Sequence, residues 1–393
     1  MKIKKHQMLL VSGQAMPNFL PILNPELKPD AVTLMVSDKM KKQAMWLKAE
    51  IVKHGVRILP DLEIGNDETD VAKIQDHLLD WVDQNKELAD NSVLNVTGGT
   101  KPMAIAAQEV YRMNDRPVFY VDVATDNVSW LSKQGEQRNV RLEKSPTINQ
   151  VLSLNGITLR SGDFKSPVKN EKWRHFCSEI ASSPEKWALC LGELNRVASN
   201  AVEKCKRARN SREKAEALAF YGEVTASELV KWNDLKEILH ADELLRCETA
   251  RESFVSQAAA RFCAGGWLEH YVFEKLKGLG LDRKRALMNA QIVDADGNPN
   301  ELDSIVVHRN TCFVIEDKTK NMIVRGGIHG NVADQAVYKL AQVTKRLGLR
   351  TKGVLVSARL LRPEDKDRAR AYDVEVVDWL PDVESQLRRI IGL

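Results

Sequence analysis

The chain has 393 residues, 43% hydrophobic and 28% charged, with a formal net charge of +4. At roughly 150 residues per domain this describes two to three ordinary folded domains and excludes a disordered polymer. So small a positive excess does not by itself announce a nucleic-acid binder. The six cysteines show no C-x-x-C pairing and no metal-ligand spacing, so they read as reduced thiols of a cytoplasmic protein. The charged start runs straight into a strand-length apolar stretch, unlike a signal peptide. No apolar run is long enough to suggest a membrane partner.

From Met8 onward strand and helix patterns alternate. Strands are expected at Met8–Ser12, Ala31–Ser37, Val56–Leu62, Ser92–Val96, Pro117–Val123 and Val128–Ser132. Between them, Lys39–His54, Asp70–Asn85 and Thr100–Met113 read as helices. The first places Met40, Ala44, Leu47 and Ile51 on one face, the second Val71, Ile74, Leu78 and Trp81. A βαβα order predicts a parallel sheet covered on both sides, a Rossmann-like domain whose ligands lie beyond the carboxyl ends of the strands.

Two loops fall at those ends: Ser12-Gly13-Gln14, and Asn95-Val96-Thr97-Gly98-Gly99-Thr100-Lys101-Pro102-Met103. Paired glycines let backbone amides approach a ligand closely, and the helix starting near Thr100 aims its first amides at the same place, which suits a phosphate. The loop is neither GxxxxGK[ST] nor GxGxxG, which disfavours mononucleotide hydrolysis and dinucleotide binding. A tight turn capped by Thr100 is the plainer reading of the same residues.

The stretch NVTGGTKPM resembles the ligand loop of CARF domains, the Rossmann-like sensors of type III CRISPR systems, over about Met8–Leu131. That resemblance implies a cyclic oligoadenylate, first of all cyclic tetra-adenylate, held on the two-fold axis of a homodimer. It assigns Ser12, Gly13, Gln14, Asn95, Thr97, Gly98, Gly99, Thr100, Lys101 and Met103 to ligand binding. Residues 1–145 form this expected sensor.

The middle, residues 146–258, reads as a linker over Pro146–Val168, with a strand-like Gly156–Arg160, followed by a helical stretch from Glu171. Trp187, Leu191, Leu194 and Val197 keep helical spacing and belong in a core. The basic run Lys204–Arg209 reads first as a solvated helix face. Thr225–Val230 resembles a capped helix start, and a winged helix-turn-helix fits here without a recognition-helix signature.

In the final domain, residues 259–393, the stretch NELDSIVVHRNTCFVIEDKTK predicts a hairpin: strand Leu302–Val307, a turn at His308–Asn310, strand Thr311–Glu316. The hairpin can set Asp303 beside Glu316, and Glu316 and Lys318, two apart, share a face. Carboxylates in such strands cost free energy unless compensated, and hard oxygen ligands suit Mg²⁺ or Mn²⁺. A metal there would polarise a phosphodiester, with Lys318 orienting the attacking water. Strands at Lys352–Ser357 and Val374–Trp379 complete an αβββαβ core. The glycine-rich Arg325–Asn331 reads as a loop.

The set Asp303, Glu316, Lys318 resembles the PD-(D/E)xK nuclease superfamily, with Asn300–Asp303 where many members have Pro-Asp. The resemblance adds Glu269, on a helix opening after Gly265-Gly266, as a third metal ligand, and Gln335 and Lys339 as a loose match to the motif that follows the lysine strand. A CARF sensor joined to such a nuclease implies a cyclic-oligoadenylate-activated, metal-dependent endonuclease of CRISPR antiviral defence acting on DNA, RNA or both. Two other readings stand beside it: a nuclease not regulated by nucleotide, and a ligand-sensing DNA-binding regulator. A HEPN-type RNase is disfavoured because no Arg-x-x-x-x-His follows Lys339.

Overall fold

The computed structural model describes residues 5–131, 140–164, 171–248, 251–319, 332–348 and 350–393, with side chains of the fifth stretch from Gln335. Ser132 and the glycine-rich Arg325–Asn331 lie outside the described residues.

The first sheet has eight strands: β1 (His6–Leu10), β2 (Ala31–Val36), β3 (Arg57–Ile58), β4 (Leu62–Glu63), β5 (Ser92–Asn95), β6 (Val118–Asp122), β7 (Asn127–Trp130) and β8 (Val140–Arg141). Their order is β3-β2-β1-β5-β6-β7-β8, with β4 also on β2. Pairing is parallel up to β6, and β7 and β8 close the sheet antiparallel. The helices are α1 (Met16–Leu23), α2 (Lys41–Val52), α3 (Val71–Gln84), α4 (Lys86–Asp90) and α5 (Lys101–Met113). Alternation along β1 decides which face each covers. Met8 and Leu10 pack with Ile74, Leu78 and Val110 of α3 and α5, whereas Leu9 and Val11 pack with Phe19, Leu47 and Ile51 of α1 and α2. The expected strand Val56–Leu62 is instead two short pieces flanking Leu59-Pro60-Asp61, because Pro60 has no amide to give a ladder.

The expected linker departs further. It forms α6 (Ile148–Leu154) and β9 (Thr158–Asp163), and β9 pairs antiparallel with a strand of the second sheet. Ile148, Val151, Leu152 and Ile157 are buried in that sheet's core, so the segment earns burial that a free tether would forgo.

The helical stretch comprises α7 (Glu171–Ser182), α8 (Pro184–Arg207), α9 (Ser211–Ala217), α10 (Leu229–Ala241), the hairpin β10 (Leu245–Glu248)–β11 (Arg251–Phe254), and α11 (Gln257–Arg261). Ala219 forms an isolated antiparallel bridge with Ser253 of the hairpin. Next come α12 (Trp267–Gly278), β12 (Ala286–Val293), β13 (Pro299–His308), β14 (Thr311–Lys318), α13 (Val332–Arg346), β15 (Thr351–Ser357), α14 (Pro363–Ala371), β16 (Val374–Val377) and α15 (Val383–Ile391). The second sheet is ordered β16-β15-β14-β13-β12-β9. One core joins Phe176, Trp187, Leu194 and Leu235 of the helical stretch to Phe313, Ile315, Val354 and Val356 of this sheet. The middle helices are therefore part of the C-terminal body. All six cysteines are free, five of them buried. No described helix is long and apolar enough to cross a membrane.

Candidate active site

The hairpin β13–β14 pairs from His308–Thr311 to Ser304–Ile315 and then opens. Past that point β13 stays on β12 as far as Pro299, and β14 stays on β15 as far as Lys318. Asp303 and Glu316 are the first residues beyond the parting, so the second sheet forks where its charges lie. The β12–β13 ladder also skips Asn289 opposite Asp303, and Asn289 has φ +50°. Ala286 and Met288 before it face one core, Ala290 and Ile292 after it the other. This irregularity turns the strand and frees Asp303 from the pleat.

Along β14 the faces alternate. Cys312 and Val314 pack with Ala336, Val337 and Leu340 of α13, which places Glu316 and Lys318 on that side. Lys318 Nζ donates to Glu316 Oε1 at 2.6 Å, and Lys339 Nζ of α13 donates to the same carboxylate at 3.3 and 3.5 Å. The Glu316 side chain is 6% exposed, that of Lys318 26% and that of Lys339 50%, so Lys318 is the more enclosed ammonium and Lys339 can reach outward. Gln335 is exposed on the same helix, and no hydrogen bond joins it to the acids among the described residues.

Asp317 faces the opposite side, toward α12 and Glu269 in that helix's first turn. Its amide donates to Asp303 Oδ2 at 2.8 Å, while both of its carboxylate oxygens are buried with no partner. Burial first, then Asp303 and Glu269, push this carboxyl well above the ordinary range. Burial and Glu316 raise Asp303 to about 6, and burial and Asp303 raise Glu269 to about 7. Burial pulls Lys318 down, but Glu316, Asp303 and Asp317 outweigh it and hold the ammonium above its usual value. Asp317 is not among the site residues expected from sequence, because alternation along β14 turns it away from Glu316 and Lys318. The missed signal is that the helix carrying Glu269 covers the face to which Asp317 points.

Thr319 follows directly, and its Oγ1 accepts from Asn195 Nδ2 of α8 at 2.9 Å. Gly265 has φ +130°, and a Cβ there would meet Thr319 Oγ1 at 2.9 Å. The glycine pair thus lets α12 restart against the end of β14, carrying Glu269 to the fork.

Four carboxylates (Glu269, Asp303, Glu316, Asp317) stand against two lysines. Hard oxygen donors with excess buried negative charge, one of them wholly unpartnered, fit a divalent cation. Among the described residues no three such donors already converge as a metal cage.

At the other end, the N-terminal loop splits into frame and face. Asn95 is fully buried. Its Nδ2 donates to Pro17 O and Asn18 Oδ1, and its Oδ1 accepts from the amide and hydroxyl of Thr97. Thr97 Oγ1 also accepts from the Val121 amide, and Met103 is buried. Asn95 and Met103 are thus buried and Thr97 half-buried, with the polar atoms of Asn95 and Thr97 engaged inside the domain. Thr100 Oγ1 caps α5 by accepting from Met103 N and donates to Glu68 O. A Cβ on Gly98 would fall 1.9 Å from Leu10 O, and Gly99 has φ +73°, so both positions require glycine. Gly13, Gln14 and Lys101 are exposed and Ser12 half-exposed at the same edge.

A cleft lined by Gly13, Gln14, Asn310, Cys312 and Arg350 runs from this loop to the start of β14. Asn310 Nδ2 bonds Asp126 across the same junction.

Residues 7–155 match the family described as Card1 CARF domain, and residues 256–391 the family described as Card1-like, endonuclease domain. Among solved structures, Can2 from Sulfobacillus thermosulfidooxidans in complex with cyclic tetra-adenylate is similar with a TM-score of 0.78 at 25% identity, covering 99% of this chain and 100% of that one. Protein VC1899 from Vibrio cholerae is similar with a TM-score of 0.81 at 22% identity over 99% and 98% of the two chains. A type III CRISPR defence DNA nuclease activated by cyclic oligoadenylate has a TM-score of 0.57 at 16% identity over 99% of this chain and 52% of that one. The last two likenesses concern the fold alone. Curated proteins include no sequence match.

Proposed function

The chain belongs to the Card1-like family of CARF-domain endonucleases, and from that premise we propose that it is a divalent-metal-dependent nuclease switched on by a cyclic oligoadenylate, cyclic tetra-adenylate first. The forked sheet carries this reading: it gathers four carboxylates and two lysines at one strand end, with more buried negative charge than the protein neutralises. Asp303, Glu316 and Glu269 would hold Mg²⁺ or Mn²⁺, which supplies Lewis-acid polarisation of the phosphodiester when bound. Lys318, already hydrogen-bonded to Glu316, holds and orients the attacking water. Lys339, half exposed on α13, neutralises Glu316 now and is placed to meet phosphate charge as substrate enters.

On the sensor side, Gly13, Gln14, Lys101 and the amides at the start of α5 face the ligand, with Asn95, Thr97 and Gly98 as their frame. A homodimer would match a symmetric ring to a symmetric pair of loops. Gly13 and Gln14 border the cleft that reaches β14, whose far end bears Glu316 and Lys318. A ring that binds better to one arrangement of this joint biases the other end of the strand.

The test is incubation of purified protein with Mn²⁺, plasmid DNA and single-stranded RNA, with and without cyclic tetra-adenylate. Cutting that requires both metal and ring is expected, and it identifies the nucleic acid. Cutting without the ring would replace this reading with that of an unregulated nuclease.

A further inference from the structure

Arg359 lies two residues beyond the end of β15. That end is beside the fork: Ser357 pairs with Lys318, and the Ala358 amide donates to Lys318 O at 2.9 Å. Ser357 Oγ locks the backbone there, donating to Arg359 O at 2.7 Å and accepting from its amide at 3.2 Å. The side chain then lies along α8. Its Nη2 donates to Ala188 O, and a Cβ on Gly192 would come 3.2 Å from that nitrogen. Two turns past Ala188, the same helix holds Thr319 through Asn195. One face of α8 therefore lines the ends of both β14 and β15.

This guanidinium is poorly satisfied. Nε is buried without a partner, and among the described residues no carboxylate pairs with Arg359. Nearly every other cation at the fork is matched to an acid, as Lys318 and Lys339 are to Glu316. A half-buried, permanently charged fork with one carbonyl as its partner is an incomplete anion site, and the guanidinium geometry suits a phosphate's paired oxygens.

We propose that Arg359 is a substrate-binding residue that grips a nucleic-acid phosphate neighbouring the one cut, with bare Gly192 leaving it room on α8. This rests on the endonuclease reading and adds the wall on which the strand is held.

The test measures binding of a fluorescent single-stranded oligonucleotide and of a short duplex to the full-length protein, over a range of salt, in EDTA with cyclic tetra-adenylate present. Arg359→Gln should weaken binding about ten-fold and lower the slope of log K against log salt by roughly 0.7 to 0.9, the loss of one phosphate contact. Arg359→Lys, which keeps the charge but not the fork, should fall between. Gly192→Ala pushes the guanidinium aside without removing it and favours the helix. It should weaken binding about three-fold with no loss of melting temperature, so the proposal survives even if Arg359→Gln folds poorly. Wild-type affinity and salt slope in both variants would overturn the proposal and leave Arg359 as a strut for α8. If the unsubstituted protein cuts nucleic acid while these variants bind like it, this proposal alone fails. If it neither binds nor cuts, the nuclease reading fails as well.

Discussion

The two sites of this protein are built on opposite plans. At the sensor loop nearly every polar side chain is satisfied from within: Asn95 makes four hydrogen bonds to Pro17, Asn18 and Thr97, and Thr100 is engaged on both sides. What remains for a ligand is backbone, glycine clearance and the exposed side chains of Gln14 and Lys101. At the fork the reverse holds, with Asp317 unpartnered and Asp303 and Glu269 pushed toward neutrality. The difference teaches that a recognition loop can be made rigid and complete before its ligand arrives. The proposed metal site instead keeps carboxyls that the fold leaves poorly satisfied, which a bound cation would relieve.

The sharpest way to break this comparison is to disable one site and read the other. Lys318→Ala or Asp303→Ala should lower cleavage at least 10³-fold, on the order of 4 kcal/mol, while calorimetry finds ring affinity within about two-fold of wild type. Loss of ring binding in either variant would mean the two sites are not separable.

Acid and base should strain the two regions in opposite directions. His6, in β1, is buried between Ser92 Oγ and Thr33 Oγ1, and burial lowers it to about 4. Its folded value lies below the unfolded 6.5, so its contribution is complete above pH 6.5. It is lost as pH falls toward 4, a loss of roughly 3 kcal/mol. Glu269 and Asp303 are carboxyls whose folded values lie above their unfolded ones. Their neutral forms contribute fully below about pH 4, and that contribution is lost as pH rises through 6 to 7, on the order of 3 kcal/mol for each. The two windows overlap between about pH 4 and 7, so in EDTA the carboxyl slopes offset the His6 slope and urea titrations should show no rise in stability with pH there. Saturating Mn²⁺ should remove the carboxyl slopes and uncover the His6 rise of roughly 3 kcal/mol from about pH 4 to 6.5; a pH profile unchanged by Mn²⁺ would contradict the assignment.

Asp317→Asn replaces an unpartnered buried carboxyl, which burial, Asp303 and Glu269 keep from ionising in its ordinary range, with a neutral amide of the same shape. It should stabilise the metal-free protein by roughly 1–3 kcal/mol, read as a higher melting temperature. If Asp317 shares the metal's field, Mn²⁺ affinity should fall at the same time; unchanged affinity would confine it to packing. The smallest expected effect is that of Lys101→Ala. This exposed lysine at the start of α5 should raise the ring concentration needed for half-activation about ten-fold, some 1.4 kcal/mol, with the cleavage rate at saturating ring unchanged.

Most of the first sheet and both hairpin strands were legible because their signals are local. Apolar alternation, a run of β-branched residues, and Thr100 three residues before Met103 each act within a turn or a strand. The break at Pro60 was missed in the expected strand Val56–Leu62, although its cause is local, since proline's missing amide is a property of the residue. A strand-like Gly156–Arg160 was legible, but α6 and the partner of β9 were not, because they depend on what Ile148 and Ile157 bury against, more than a hundred residues away.

By itself, the sequence determined the composition of each site: the D…ExK set, the glycine pair in NVTGGTKPM, and the alternation of strand and helix between them. Chain chemistry and short-range periodicity suffice for that. Only the tertiary structure decided how these residues are deployed. It split the β13–β14 ladder after Ser304–Ile315, turned Asp317 toward Glu269, and brought Lys339 onto Glu316. It also laid α8 along the strand ends, where Asn195 and Arg359 meet the site. Each of these depends on contacts between segments distant in the chain, and those are set by which faces bury together, a choice the packed molecule makes as a whole.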